Sequence, residues 1–290
     1  MDGSLPGRVR SLHQDGPLGR WRIDLCAPCA ALAAQVDLLW YGEGRVAYQR
    51  DRILPTGGAY VLINLGPAQY RIEPGPPERR IPFDDIWYLG PHTGPIDAEA
   101  PHGNALLGIA LRASGSHAWI GTRADTLVDR TLPLADLVGA SAEALRERLL
   151  NAADATTRFE LVEDWLLRRL HPRRNTHAVV EWAVARIADA GGQLGMAELA
   201  RASGYSRKHL AELFREQVGP SPKVLARLHR FRRALRLLDG ASHVPWVELA
   251  ARCGYYDQGH LIRDFNAFCG FAPGEFLRHQ RADATSIVLR

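Results

Sequence analysis

Cysteine is scarce in this sequence, with four residues in a chain of 290. So small a number does not indicate a disulfide framework. Cys26 and Cys29 form a Cys-x-x-Cys pair, but a zinc site would need two more ligands at a matching spacing. Cys253 and Cys269 lie where the pattern indicates helix packing. We therefore interpret the cysteines as structural thiols.

Long apolar runs are also lacking. No stretch of the sequence reaches the roughly 18 residues that a membrane span requires. Residues 1–11 contain no apolar segment of the kind found in a signal peptide. Hydrophobic residues nevertheless make up 46% of the chain, which is enough for a sizeable core. We expect a cytoplasmic protein with about two domains.

The net charge of +4 hides an asymmetry between two parts of the chain. Residues 171–290 contain 18 Lys and Arg against 11 Asp and Glu, a net charge of +7, whereas residues 1–170 have a net charge of −3. A basic part beside an acidic part is typical of a protein in which one part meets a polyanion. Many basic surfaces are merely solvated, so charge alone does not identify the partner.

The first part of the chain has a strand pattern. Residues 59–65 are β-rich and are bounded by glycine and proline, and further short runs occur at 45–54, 86–89 and 105–111. Turn clusters separate them, which favours a barrel or a sandwich. One helix is predicted over residues 30–40, because Leu32, Val36 and Leu39 would share one face.

The hydrophobic period becomes helical from about residue 134. Ser141 and Asp154 are predicted to cap two helices that form an antiparallel hairpin. Their apolar stripes contain Leu145, Leu149 and Leu150 in the first helix, and Phe159, Val162, Leu166 and Leu170 in the second. Residues 171–177, with a proline among polar residues, are predicted to be a linker, and everything after Thr176 is predicted to be helical.

An internal repeat lies in this helical part. Residues 198–205 match 248–255 at an offset of 50, with Gly-Tyr at the end of each segment. One extra residue then shifts the offset to 51. The later matches pair Leu210 with Leu261, Phe214 with Phe265, Gly219 with Gly270, and Pro222 with Pro273.

Each copy has the parts of a helix-turn-helix. A short helix ends at Gly204 or Gly254, where the sharp turn needs a positive φ, and a second helix follows with one apolar and one polar face. The candidate DNA-contacting residues are Ser206, Arg207, Lys208, His209, Glu212 and Arg215 in the first copy, and Tyr256, Asp257, Gln258, His260, Arg263 and Asn266 in the second. Arginine can bond guanine, and glutamine or asparagine can bond adenine. A plain helical bundle with solvated polar faces is the alternative.

On these residues the segment 176–281 resembles the DNA-binding domain of the AraC/XylS transcriptional regulators. The resemblance implies a DNA-binding domain over 178–282, with two helix-turn-helix units on either side of a connecting helix, for which Pro222–Asp239 fits. The second copy departs from the family pattern, since Asn266 and Ala267 stand where basic residues are usual. Gly259 is in addition a poor helix former.

Residues 1–170 resemble, less specifically, the cupin-like sensory domains that are joined to such DNA-binding domains. The resemblance implies an α+β protein in which a small β-barrel binds an unknown small-molecule effector and the hairpin at 141–170 forms a homodimer; RNA polymerase is a candidate partner besides promoter DNA. The candidate pocket residues are Trp40, Tyr60, Asn64, His92 and Trp119. Ordinary core aromatics are the alternative for this set.

Two other functions require residues that this sequence does not provide. A metal-binding cupin enzyme needs a His-x-His pair and a nearby Glu, and no His-x-His occurs; His92, His102 and His117 are scattered. A methyl-accepting DNA-repair regulator needs a cysteine-rich zinc site, which Cys26 and Cys29 alone do not form. We therefore expect no catalytic residue, no metal and no cofactor.

Overall fold

The computed structural model describes residues 5–99, 103–170, 176–239, 244–281 and 285–289. The N-terminal part consists mainly of antiparallel strands with a pair of helices, and the C-terminal part is helical apart from one short strand. The predicted α+β class with two structurally different parts is confirmed. The predicted linker lies largely outside the described residues, so its boundaries stay a prediction.

Twelve strands are present in the described part of the chain. They are β1 Val9–Gly16, β2 Gly19–Cys26, β3 Val36–Val46, β4 Arg50–Ile53, β5 Tyr60–Asn64, β6 Gln69–Glu73, β7 Arg79–Phe83, β8 Ile86–Leu89, β9 Ile96–Glu99, β10 Gly103–Leu111, β11 Thr131–Pro133 and β12 Ser286–Val288. One sheet has the order β1-β2-β3-β10-β5-β8-β11, and the other has the order β12-β4-β9-β6-β7.

The predicted barrel is not closed. Closure requires the two edge strands of a sheet to pair. Among the described strands, β1 pairs only with β2 and β11 only with β8, so the larger sheet has two edges. The physical reason is that β1 extends outward with nearly every residue exposed, and it does not return to the core.

The predicted helix over residues 30–40 is wrong. A single 3₁₀ turn, Ala30–Leu32, is followed by strand β3, which pairs with β2 on one side and β10 on the other. Leu39 and Tyr41 are buried while Trp40 between them faces the other side of the sheet, as strand alternation requires. Pairing on both edges overrode the helical spacing of the apolar residues.

Eleven α-helices are present in the described ranges. They are α1 His117–Ile120, α2 Ala135–Val138, α3 Ser141–Leu150, α4 Ala155–Arg169, α5 Ala178–Asp189, α6 Met196–Ser203, α7 Arg207–Gln217, α8 Pro222–Leu238, α9 Trp246–Arg252, α10 Gln258–Cys269 and α11 Pro273–Phe276. No helix among the described residues is long and apolar enough to cross a lipid bilayer.

The helices α3 and α4 form the predicted hairpin. Asp154 caps α4, since its carboxylate accepts the Thr157 N–H at 2.8 Å. The predicted cap at Ser141 is wrong: it is the first helical residue, and its hydroxyl donates to the Val138 carbonyl instead. Most residues of the apolar stripes, including Leu145 and Phe159, are buried in one core with the larger sheet, whereas Leu150 is 47% exposed.

Two further cores lie in the helical part. The first joins α5, α6, α7 and the start of α8, where Leu225 and Ala226 contribute. The second joins the rest of α8 with α9, α10 and α11, and it also contains Leu54 and Ile287. The helix α8 therefore belongs to both cores and separates them along its length.

Candidate nucleic-acid interface

The first helix-turn-helix unit consists of α6 and α7. The helix α6 ends at Gly204, whose φ of 74° allows the sharp turn. The Ser206 hydroxyl caps α7 by accepting the His209 N–H at 3.2 Å. Leu210 and Phe214 have no exposed surface, so they fix α7 against the core and turn its opposite face outward.

The side chains on the outward face of α7 differ between the start and the end of the helix. Arg207 and Lys208 are exposed, and His209 stacks in parallel on the Tyr205 ring with centroids 5.3 Å apart. Towards the end of the helix, Glu212 forms an ion pair with Arg215. Glu212 also accepts a hydrogen bond from Arg123 of the N-terminal part, at 3.1 Å.

The second unit consists of α9 and α10. The turn again contains a glycine, Gly254, with φ 78°. Asp257 caps α10, because its carboxylate accepts the His260 N–H at 2.6 Å. The His260 ring meets the buried Tyr255 ring edge-on, with centroids 5.2 Å apart. The apolar face of α10 is buried, with Phe265 among its buried residues, as in the first unit.

The exposed face of α10 carries Gln258, Arg263 and Asn266. Tyr256 precedes the helix and is 93% exposed, which is unusual for a large aromatic side chain. Within the described ranges the structure gives no hydrogen bond or ion pair to the Arg263 side chain, nor to those of Arg207 and Lys208. These three cations are therefore free to meet phosphates or base edges.

A buried ion pair attaches α10 to α8, and the sequence prediction missed it. The Asp264 carboxylate is 1% exposed and accepts from Arg227 Nε and Nη2 at 2.9 and 2.8 Å. Asp264 stands where the first unit has Leu213. A single charge on the apolar face of a recognition helix was the available signal.

The connecting helix α8 sets the distance between the units. Ser221 caps it by accepting the Val224 N–H at 3.3 Å, and Pro222 occupies its first turn. The prediction of a helix over Pro222–Asp239 is confirmed to within one residue. Seventeen residues give a length of roughly 26 Å. Because each end lies in a different core, α8 also sets the rotation of one unit relative to the other.

One titratable group on this helix is displaced from its ordinary pKa. His229 is partly buried, and both burial and the nearby charges of Arg232 and Arg236 disfavour its protonated form. Together they lower its pKa to about 4. The ring is therefore neutral at physiological pH.

The geometry agrees with comparisons to known proteins. Residues 199–279, which span both units, match the family model of a helix-turn-helix domain. A putative AraC-like transcription regulator of Streptomyces lividans is 26% identical over 226 residues, which is 65% of this chain and 73% of that protein. The chain is thus similar to AraC-like transcriptional regulators. It is a DNA-binding transcriptional regulator.

Two further matches cover shorter parts of the chain. An HTH-type transcriptional regulator of Mycobacterium tuberculosis is 31% identical over 87 residues, 30% of this chain and 33% of that protein. Residues 25–133 match a domain of unknown function, DUF6597. These matches leave the role of the N-terminal part unassigned.

Two solved structures are similar in part. ToxT from Vibrio cholerae is 10% identical with a TM-score of 0.45, covering 82% of this chain and 97% of that one. The C-terminal domain of AraT from Geobacillus stearothermophilus is 24% identical with a TM-score of 0.34, covering 36% and 87%. Both TM-scores are below 0.5, which is too low to assign a function.

The structure brings together two of the five predicted pocket residues. Tyr60 and His92 line a cavity of about 20 Å³ between the two sheets. Burial lowers the pKa of His92. Asn64 is fully buried and donates to the carbonyls of Pro67 and Phe83, so it shapes a turn. Trp119 lies in the hydrophobic core.

Trp40, the fifth predicted pocket residue, lies flat against β10. A Cβ placed on Gly108 would be 2.1 Å from its ring, so the indole occupies the space beside that glycine. It does not line the cavity between the sheets. The aromatic residues proposed as a pocket are thus divided among separate places in the fold.

The Cys-x-x-Cys segment packs against α4. Cys26 is fully buried, which raises the pKa of its thiol to about 11. The buried carboxylate of Glu163 accepts the Cys29 N–H at 2.6 Å and pairs with Nη1 and Nη2 of Arg8. These contacts attach the segments that contain Arg8 and Cys29 to helix α4 of the hairpin. Among the described residues, no cluster of histidine, cysteine and acidic side chains could hold a metal ion.

Proposed function

We propose that one chain reads its operator with both units, inserting α7 and α10 into adjacent major-groove segments on one side of the DNA. The observation that supports this is that each unit has an unpaired cation on the exposed face of its second helix, α7 or α10. The single helix α8 connects the two units. Arg207 and Lys208 supply the cations in the first unit, and Arg263 in the second.

The spacing is compatible with this mode of binding. Successive major-groove faces on one side of B-DNA lie ~34 Å apart. The axis of α8 supplies roughly 26 Å of this distance, and the turns at its two ends add the rest. One chain should then protect about 20 base pairs.

Paired substitutions in the two recognition helices test the proposal. Arg207→Ala and Arg263→Ala should each cost ~1–3 kcal/mol of binding free energy on an operator selected from random DNA. Arg20→Ala is a control, because Arg20 is 80% exposed in the N-terminal sheet. If both recognition variants bind like the parent and circular dichroism is native, these helices do not contact the bases.

A second candidate is DNA reading by the first unit alone. Asn266 and Ala267 are the exposed residues that favour it, because they leave the later half of α10 without a cation. In that case Arg263→Ala would bind like the parent and Arg207→Ala would not. The unpaired Arg263 and the fully exposed Tyr256 make the two-unit proposal the stronger one.

The N-terminal part is proposed to sense a small, mainly apolar effector at the cavity between the sheets. Its walls are formed by apolar side chains, among them Ile53, Leu89 and Ile96, with His92 and Tyr60 as polar groups. A volume near 20 Å³ holds about one water, so the effector must open the space. A ligand that raises the Tm of the chain but not of an Ile96→Trp variant would locate the site there.

The homodimer belongs to the same proposal. The buried residues of the hairpin pack on the larger sheet. A partner chain can therefore contact only the outer surface of α3 and α4. That surface carries Leu150 and Leu167, which are 47% and 40% exposed, and an open groove of about 430 Å³ lined by Arg148 and Leu161 among others. Sedimentation showing a monomer at tens of micromolar, with and without DNA, would contradict it.

A further inference from the structure

The C-terminal segment returns to the N-terminal sheet. The strand β12 adds to the edge of β4 in antiparallel register, with Ser286 opposite Ile53 and Ile287 opposite Arg52. The pairing extends past the strand at both ends, since the Leu54 N–H donates to the Thr285 carbonyl at 2.8 Å and a matching bond lies at residue 289. We call the paired strands β4 and β12 the strand clasp.

The strand clasp completes the core of the second unit. Ile287 has no exposed surface and Leu54 is 3% exposed, and both belong to the same apolar core as Phe231 and Phe265. This core also holds the apolar face of α10. The helix α10 therefore packs in a core that is completed by Ile287, which follows α11 in the chain, and by Leu54, which is distant in the sequence.

A side chain of the clasp reaches the end of the second recognition helix. Arg52 of β4 pairs with Asp97 through Nε and Nη2, at 2.7 and 2.8 Å. Its Nη1 donates to the Cys269 carbonyl, at the last residue of α10, at 3.1 Å. Its guanidinium also lies 4.8 Å from the centre of the Phe271 ring. Strand β4 thus fixes the carboxyl end of α10 directly.

The same strand borders the cavity between the sheets. Ile53 and Leu54 line that cavity together with Ile96 of β9, the other neighbour of β4. Movement of β4 would therefore change the cavity wall and the support of α10 at once. The N-terminal part also touches the first unit, through the exposed ion pair between Arg123 and Glu212 and through Ala124 and Val128, which lie close to Gly219 after α7.

We propose that the strand clasp is an integral part of the second helix-turn-helix unit, that it stays closed on DNA, and that the N-terminal domain controls DNA recognition through this unit. The proposal rests on the DNA-binding function proposed above for both units. Its physical basis is that Ile287 and Arg52 supply core and positioning contacts that the C-terminal helices do not provide themselves.

Breaking the clasp tests its contribution to the second unit. Ile287→Asp places a carboxylate in the shared core, and Ile287→Val is the matched control that keeps an apolar side chain there. With the full chain and the selected operator, Ile287→Asp should reduce protection from about 20 base pairs to about 10, leaving the segment that Arg207 recognises. Ile287→Val should keep the complete footprint. A complete footprint with Ile287→Asp, or loss of both segments, contradicts the proposal.

Locking the clasp tests whether it opens. Ile53 and Ser286 are opposite each other between two hydrogen-bonded pairs, where Cα atoms lie ~4.5 Å apart and a disulfide can form. The double variant I53C/S286C, oxidised, should bind the operator within about two-fold of its reduced form and of each single variant. Loss of binding on oxidation, reversed by a thiol reductant, would mean that the clasp must open, and the proposal would be wrong.

The two kinds of failure are distinguishable. If the unmodified chain selects no DNA sequence or protects a single segment, the DNA-binding proposal fails before any clasp variant is made. If the unmodified chain protects two segments, the outcomes for Ile287→Asp and for the oxidised double variant bear on the clasp alone.

Discussion

The two helix-turn-helix units have the same parts and different attachments. Each has a turn glycine, a polar cap on its recognition helix and a buried phenylalanine in the middle of that helix. The core of the first unit is formed with α5 and the start of α8, which lie beside it in the sequence, and Ala113 of the N-terminal part packs against it. The core of the second is formed with α11 and with Leu54 and Ile287, which flank or belong to the paired strands β4 and β12.

The ion pairs of the two units also differ, in how far they are exposed to solvent. In the first unit the ion pair to the N-terminal part is exposed, with Arg123 and Glu212 each more than 40% accessible. In the second unit Asp264 is 1% exposed and paired with Arg227. Exposed pairs contribute ~0–1 kcal/mol, whereas breaking a buried pair typically costs ~3–5 kcal/mol. The comparison indicates that the second unit depends on a buried ion pair more than the first unit depends on its exposed one.

Changing the phase between the units should have the largest effect. Inserting two alanines between Ala226 and Arg227 leaves each core with its own buried α8 residues but rotates one unit by about 200° and moves it by ~3 Å. We expect operator affinity to fall by about 100-fold or more, since both helices no longer face the same side of the DNA. Titration with the selected operator measures this, and circular dichroism checks the helices. Affinity unchanged by the insertion would mean that one unit binds alone.

Removing the buried charge should destabilise the second unit. Asp264→Leu restores the residue type of the first unit, Leu213, but leaves the Arg227 guanidinium without its partner. We expect a loss of about 3 kcal/mol in the free energy of unfolding, measured with urea. The double variant Arg227→Met with Asp264→Leu should recover at least half of this loss. An unaffected single variant would show that the pair does not hold α10 on α8.

Acid should weaken the connecting helix through His229. Its pKa of about 4 in the folded chain lies below the ordinary value near 6.5, so the unfolded chain binds more protons between these limits. Stability is therefore retained above pH 6.5 and falls as the pH approaches 4. Between pH 7 and 5 the parent should lose about 1–2 kcal/mol more than His229→Gln. The exposed His13→Gln is the control, and equal losses in the parent and His229→Gln would refute the assignment.

The exposed contact of the first unit should matter least. A double-mutant cycle with Arg123→Ala and Glu212→Gln should give a coupling energy below about 1 kcal/mol in thermal unfolding. The coupling should vanish near 0.5 M salt, because exposed charges are screened there. A coupling above 2 kcal/mol that persists in salt would mean that the N-terminal part holds both units equally.

Local patterns were sufficient to predict most of the helical part. The repeat predicted the turn glycines Gly204 and Gly254, because each turn depends on residues close in sequence, and Pro222–Asp239 fitted the connecting helix that the resemblance implies. The same reasoning failed at residues 30–40, where strands distant in sequence pair with both edges of β3. Local period does not reveal such partners.

The strand clasp lay beyond sequence reasoning for the same reason. The segment 286–288 has only three residues, and it becomes a strand because β4, more than 230 residues earlier, offers a free edge. The Arg227–Asp264 pair had a visible signal, the charge on an apolar face, but its partner lies on another helix. The predicted pocket set was divided because residue type alone does not place aromatic side chains in one cavity.

Hydroxyl-radical footprinting of the full chain on its selected operator tests the central claim most directly. Two units fixed at opposite ends of α8 should protect two segments on one face of the DNA, with centres ~10 base pairs apart and a total length near 20 base pairs. A single protected segment of about one helical turn, at saturating protein, would contradict the two-unit account.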